Sequence, residues 1–356
     1  MKVLVDNIIF FLQKNGGISV YWYEILKRMI EDSRIELITI YDSQKSENFF
    51  GKKVLCKSLY DSPRYVNHIF GKKCKIDFDI FHSSYYTLPC RKNLSGKIVN
   101  TVHDFTYEKF RKGLGRIKHT LQKNIAIKNS DGIICISKNT KNDLISFVGL
   151  NKDQECDVIY NGYNFTYCKN KSKKDIFDLL PDPNFRPYLA FVGGRSGYKN
   201  FDIAVETVNR IEWAKLVICG GGPLSKNEIV KLDKRIPNRY IHLDFVANDD
   251  LHAIYQNAFS LIYPSSYEGF GIPVVEAMAS GCPVVAVKAS SISEIALESA
   301  VLVDNPAVDH FVEGVLQLKN PKYRKKIIDL GLKRSKEFSW DKCYEKIIDL
   351  YFKIKE

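Results

Sequence analysis

The chain has 356 residues, 45% of them hydrophobic and 26% charged, a composition that excludes disordered and fibrous classes and supplies apolar material for two cores of ordinary size. The net charge is +12, unevenly spread: residues 1–165 hold 26 basic against 17 acidic side chains, so the first half carries +9. Nine cysteines, at 56, 74, 90, 135, 156, 168, 219, 282 and 343, are odd in number, scattered and never in a C-x-x-C pair, and they read as reduced thiols.

The first residues, MKVLVDNIIFFLQKNGG, are apolar but interrupted by Asp6, Asn7 and Gln13, and they predict a buried strand in preference to a secretion signal. Nowhere do ~18 apolar residues run together, so no bilayer span is expected. The expected location is the cytoplasm, with peripheral contact at the inner face of the cell membrane open to it. Strands are predicted at residues 3–5, 35–41, 79–82, 98–102, 132–136 and 158–160, with helices over 19–30, 116–128 and 138–147. That alternation is the rhythm of a parallel sheet covered by helices. Residues 109–128 carry seven Lys/Arg and no acid, with Leu114, Ile117, Leu121 and Ile125 at helical spacing. The apolar stripe of this helix is expected to pack on its own domain. The alternative is attraction to an anionic membrane or a pyrophosphate-bearing acceptor.

A basic polar stretch, FTYCKNKSKKD, precedes LLPDPNFRP with its three prolines, and residues 166–186 therefore read as a linker between a first domain, 1–165, and a second. The β/α rhythm restarts with strands at 188–192, 215–219, 240–243, 260–263, 283–287 and 301–303, giving a second α/β domain over 187–335 and a terminal helix within 336–356. Open parallel sheets bind ligands at the carboxyl ends of their strands, so residues just beyond those ends name the ligand.

The most informative stretch is YPSSYEGFGIPVVEAMASGCPVVAV, residues 263–287. Glu268 follows a strand and a turn, then come Gly269, Phe270 and Gly271, and a helix opens near Pro273, where proline costs no hydrogen bond. Glycines bring backbone N–H groups close to a ligand at the positive end of a helix, which suits a diphosphate. Glu276 lies about one turn into the helix. Two carboxylates spaced this way can each accept a pair of hydroxyls, whereas a lone glutamate would simply cap the helix or sit in water. In FVGGRSGYKNFDIAVE, residues 191–206, a strand ends at Gly193 and Gly194, and Arg195 and Lys199 precede a helix. Two cations there could neutralise a departing diphosphate without a metal. Gly16 and Gly17 precede a helix in the first domain but form no G-x-G-x-x-G, which disfavours a nicotinamide site.

Taken together, the 263–287 stretch resembles the C-terminal motif of retaining family 4 glycosyltransferases of the bacterial polysaccharide and lipopolysaccharide type. Those enzymes have the GT-B fold: two Rossmann-like doubly wound domains facing across a cleft, with a C-terminal helix crossing back to the first domain. Smaller similarities run along the chain, in ICISKNTKNDL, VIYNGY, LVICGGGP, YIHLDFVANDDLHAIYQNA and FSWDKC. The resemblance implies that Glu268 contacts the donor sugar, that Glu276 binds ribose hydroxyls, and that Gly269, Phe270 and Gly271 lie against sugar and phosphates. It implies Arg195, Lys199 and Gly194 at the diphosphate, although the short SGY spacing between the two cations departs from the family pattern. Phe245 and Val246 fall where relatives approach the base, Gly16 and Gly17 where a loop approaches donor phosphate or acceptor, and His103 where a histidine lines the donor-sugar pocket. His82 is a further candidate on the acceptor side.

The implied activity is metal-independent transfer, without a cofactor, of mannose or a similar hexose. The donor would be a GDP- or UDP-sugar and the acceptor a saccharide, carried on lipid pyrophosphate. A nucleotide-sugar epimerase or hydrolase of the same fold is the alternative. Nucleic-acid binding is suggested only by the +12 charge and lacks any recognisable module.

Overall fold

The computed structural model describes residues 1–14, 16–39, 46–48, 50–51, 77–89, 96–163, 180, 185–195, 197–244 and 246–356. It divides into two compact units, Met1–Gly162 with Trp340–Glu356, and Tyr163–Ser339. Of the expected linker, only Leu180, Phe185 and Arg186 lie among the described residues.

The first unit is built on six described parallel strands, β1 (Lys2–Val5), β2 (Glu36–Thr39), β3 (Ile80–Ser83), β4 (Lys97–Val102), β5 (Gly132–Cys135) and β6 (Glu155–Val158). Their order in the sheet is β2-β1-β3-β4-β5-β6. Short apolar runs such as KVLV and GIIC are buried on both faces, as parallel strands under helices must be. The last strand differs from the sequence expectation of 158–160. Glu155 pairs with Gly132 and Val158 with Cys135, so the strand is the polar run ECDV. It sits at the edge of the sheet, half-buried, where alternate polar side chains reach water and a β-branched run is not required.

Helix Gly17–Glu31 packs Tyr21, Trp22, Ile25, Leu26 and Met29 into a core that also takes Val3, Ile80 and Ile134 from the sheet. The same core receives Trp340, Tyr344, Ile347, Ile348 and Tyr351 from the final helix, Trp340–Lys355. Polar contacts hold that helix at its margins: Tyr344 donates to Asp32 at 2.8 Å and Arg34 pairs with Glu345 at 2.9 Å. His82, on β3, is fully buried, with one ring nitrogen 2.5 Å from the Tyr351 hydroxyl and the other 2.9 Å from Thr101.

The helix Leu114–Lys128 forms as expected, but its packing is the reverse of the expectation. Leu114, Ile117, Leu121 and Ile125 are exposed, and the residues it buries are Lys123, Ala126 and Ile127. Periodicity identifies an apolar stripe but does not say which way it faces. Here Lys123 takes the inward position because the Asp104 carbonyl, 2.5 Å from its ammonium, and Glu108, 3.4 Å away, receive the charge.

The second unit is a sheet of six parallel strands, β7 (Tyr188–Val192), β8 (Lys215–Cys219), β9 (Tyr240–Leu243), β10 (Ser260–Tyr263), β11 (Val284–Val287) and β12 (Val301–Val303). Read from one edge the order is β9-β8-β7-β10-β11-β12, the 3-2-1-4-5-6 arrangement of a doubly wound nucleotide-binding sheet. Leu189, Leu216, Ile218, Ile262 and Val285 from the strands meet Ala204, Val205, Val208 and Phe311 from covering helices in one core. Among the described residues no helix is long and apolar enough to cross a membrane, and five cysteines, Cys135, Cys156, Cys219, Cys282 and Cys343, are free thiols.

Candidate active site

Strands β7 and β10 are neighbours, with Leu189 opposite Ser260, yet the chain leaves β7 toward β8 on one side and leaves β10 toward β11 on the other. The loops beyond Val192 and Tyr263 therefore diverge at the point where the strand order reverses, and a crevice opens between them. The two sequence motifs supply these two loops.

Hydrogen bonds set the loops against each other. Asn200, in the left-handed conformation at φ 50°, donates from its amide to the Pro264 carbonyl at 2.8 Å and to Ser266 Oγ at 2.7 Å. The Ser266 amide donates to the Tyr198 carbonyl at 2.9 Å. From the far side, Ser290 Oγ accepts from the Glu268 amide at 2.8 Å, and Ser291 Oγ donates to the carbonyls of Glu268 and Phe270 at 3.0 and 2.9 Å. The 264–271 loop is thus pinned at both edges.

Within this frame Lys199 Nζ lies 2.5 Å from Glu268 Oε1, both side chains largely buried. The ammonium is also 5.2 Å from the Tyr198 ring and 5.8 Å from that of Tyr263, whose hydroxyl bonds to the same carboxylate. Gly271, at φ 98°, turns the chain into helix Ile272–Ala279, with Pro273 in the first turn. A Cβ on Gly271 would stand 2.4 Å from Ile292 Cδ1, so both conformation and space demand glycine. Pro273 has no amide hydrogen and the Val274 amide is taken by the Gly271 carbonyl at 2.9 Å, so the helix offers an anion its positive end and the backbone that leads into it.

Glu276 stands on this helix. Among the described residues no cation pairs with it, and its one neutralising contact is the Tyr255 hydroxyl, donating at 3.4 Å. Burial pushes its carboxyl up to about 7, with the Tyr255 hydrogen bond pulling weakly the other way.

Arg195 is placed differently from Lys199. Its side chain is only 5% exposed and spends four of its five N–H donors. Nε bonds to Glu228 at 2.7 Å, and the two terminal nitrogens bond to the carbonyls of Gly220, Gly222 and Pro223 at 2.8–2.9 Å. Gly221, at φ 81°, could not carry a Cβ here, because it would lie 2.6 Å from the guanidinium and 2.7 Å from the Gly193 carbonyl. Arg195 therefore clasps the loop after β8 to the loop after β7. Gly194 is exposed, Val246 is half-buried ahead of helix Asn248–Asn257, and Phe245 lies outside the described residues.

The remaining candidates belong to the first unit. Gly17 has nothing within 4 Å of a Cβ position, and Gly16 opens helix Gly17–Glu31, its carbonyl accepting from Ser19 Oγ at 2.9 Å. His103, just past β4, is buried edge-on against Tyr21, and its Nε2 has no hydrogen-bond partner. Burial lowers its pKa to about 4, with Asp104 opposing and Lys123 adding to the shift, so it is neutral at pH 7. His82, by contrast, has both ring nitrogens engaged and serves the packing of the final helix.

Sequence reading missed Asn200, Tyr255, Ser290 and Ser291. The serine pair after β11 was a visible signal, since hydroxyls just past a strand end commonly bind neighbouring backbone. Nothing in the sequence pairs Tyr255 with Glu276. Among the described residues no group of three or more His, Cys, Asp or Glu is gathered as a metal site.

A doubly wound domain with a glycine helix start, a lysine and two carboxylates around its switch point marks a class of proteins with a crevice suited to an anionic ligand. Comparison with known proteins is specific about which class. Residues 172–334 match the family model of glycosyl transferases group 1, and residues 15–167 match that of glycosyltransferase family 4. The chain belongs to these glycosyltransferases and has their GT-B fold. It is 28% identical to an uncharacterized glycosyltransferase of Methanocaldococcus jannaschii over 99% of this chain and 98% of the relative. It is 36% identical to O-antigen chain mannosyltransferase B of Escherichia coli, over 31% of this chain and 29% of that one. In structure it is similar to Anabaena HepE, solved in complex with UDP-glucose, with a TM-score of 0.75, 16% identity and 98% coverage of both chains.

Proposed function

We propose that this protein transfers mannose or a similar hexose from a GDP- or UDP-sugar to a saccharide acceptor carried on lipid pyrophosphate. Anomeric configuration is retained, no metal takes part, and the product enters surface polysaccharide or O-antigen synthesis at the cytoplasmic face of the membrane. The observation that carries the reading is the Lys199–Glu268 pair beside the Gly271 helix start, at 2.5 Å, in the switch-point crevice. The mannosyltransferase names among its relatives support the sugar, and the UDP-glucose bound by HepE supports the donor class.

In this reading the donor diphosphate lies against the backbone of 269–271 and the Lys199 ammonium, while a sugar hydroxyl replaces Lys199 on Glu268. Glu276 accepts the ribose hydroxyls, and Val246 approaches the base. Arg195 keeps the glycine loops in place and offers its one remaining N–H to the diphosphate near Gly194. In the first unit, His103, neutral and with a free ring nitrogen, is the candidate for a sugar hydroxyl, and the Gly16–Gly17 turn, open at Gly17, is the candidate for phosphate or acceptor. The bond from anomeric carbon to phosphate oxygen breaks as the acceptor oxygen bonds to the same face. The acceptor proton passes to the departing diphosphate oxygen, whose growing charge Lys199 and the helix start stabilise.

Nucleoside diphosphate release, followed with and without acceptor, tests this. Transfer should depend on acceptor, and Lys199→Ala should lower kcat by about 10²–10³-fold, the usual cost of losing one such electrostatic donor. Equal release without acceptor would favour a hydrolase, isomerisation of the donor without net release an epimerase, and an undiminished Lys199→Ala enzyme would remove Lys199 from the site.

A further inference from the structure

We propose that the outer face of helix Leu114–Lys128 is a docking surface for an anionic lipid bilayer. This goes beyond the site described above and rests on the lipid-linked acceptor reading only for its purpose. Leu114 is 84% exposed, Ile117 62%, Leu121 59% and Ile125 46%, and Phe110, just ahead of the helix, is 43% exposed. At about 100° per residue the four aliphatic side chains fall on one stripe, within roughly 60° of Leu114. Lys123, Ala126 and Ile127 project on the opposite side. The stripe cannot turn inward, because Lys123 is locked beneath it, its ammonium 2.5 Å from the Asp104 carbonyl and 3.5 Å from the centre of the Phe105 ring.

Scattered exposed leucines are ordinary, but four aligned on one helix form a patch that calls for a covering surface. Charge selects the kind of surface. Arg111, Lys112, Arg116, Lys118 and Lys128 are exposed, none is in an ion pair among the described residues, and residues 109–128 contain no acid. Lys118 borders the stripe and Lys128 closes its C-terminal end, as cations do on helices that lie in a membrane interface with apolar side chains dipped below the headgroups. A second copy of the chain would bring the same cations face to face and be repelled. An anionic bilayer meets both the apolar stripe and its basic border.

Co-sedimentation of the whole protein with phosphatidylcholine vesicles, with and without phosphatidylglycerol, tests the surface, alongside sugar transfer to a soluble acceptor. Binding should require the anionic lipid, and each surface cation removed should weaken it about fivefold. The variant carrying Lys118→Glu and Lys128→Glu, the two cations on the stripe side of the helix, should therefore fall by more than about 25-fold. Leu114→Ser, Ile117→Ser and Leu121→Ser together should lose roughly tenfold or more, with unchanged thermal unfolding and unchanged transfer to the soluble acceptor. Failure to bind anionic vesicles, binding indifferent to lipid charge, or concentration-dependent self-association abolished by the serine variant would each overturn the surface while leaving the transferase reading intact. Vesicle binding without any transfer would overturn that reading and leave the surface standing.

Discussion

Glu276 is the residue whose chemistry is most exposed to experiment. Its ordinary carboxyl value of 4.5 is raised to about 7 by burial, so the folded state resists ionising it. Below about pH 4.5 the group is protonated in folded and unfolded chains alike and costs nothing. As pH rises toward and through 7 the unfolded chain is already ionised, and the folded chain loses relative stability. Glu276→Gln should therefore be more stable than the parent by ~1–3 kcal/mol at pH 8 and equal to it at pH 4, measured by urea unfolding. The same substitution should weaken donor binding, because an amide oxygen accepts ribose hydroxyls less strongly than a carboxylate. A residue that stabilises when removed yet is needed for binding is the signature of a site held ready for its ligand. His103, already neutral with its pKa near 4, should add no step to the activity profile between pH 5 and 8.

At the scale of elements, the helix start at Gly271 depends on a conformation that only glycine adopts without strain. Gly271→Ala should cost about 1–3 kcal/mol from the left-handed backbone alone, and more where Ile292 fails to yield. Donor affinity should fall with it, since the amides around 269–271 move, and calorimetry of nucleoside diphosphate binding checks this. Elements of this kind were legible in the sequence because their demands are local: glycine, proline and glutamate stand within a few residues of each other. The role of Arg195 was not legible, because its partners at Gly220, Gly222, Pro223 and Glu228 arrive from the next strand and helix. The 114–128 helix shows the same limit. Its period was plain, but the inward placement of Lys123 depends on Asp104 and Glu108, which periodicity cannot see. The edge strand Glu155–Val158 escaped for a related reason, since pairing on one side only leaves polar side chains permitted.

At the scale of the whole molecule, the β/α rhythm anticipates two parallel sheets covered by helices, while the strand order, which differs between the two units, appears only in the structure. The first closes on itself only when the final helix, Trp340–Lys355, returns to its core. The FSWDKC similarity anticipated that segment, whereas the His82–Tyr351 contact that buries it appears only in three dimensions. In the proposed function the second unit holds a nucleoside diphosphate at the β7/β10 switch point. Thermal unfolding of the whole protein with GDP, UDP and their hexose conjugates tests it most directly. At ligand concentrations of ~100 times Kd, binding adds about 2.7 kcal/mol and should raise the Tm by several degrees with one nucleotide family, less so in Glu276→Gln. An unchanged Tm with all of these nucleotides and conjugates would contradict the claim.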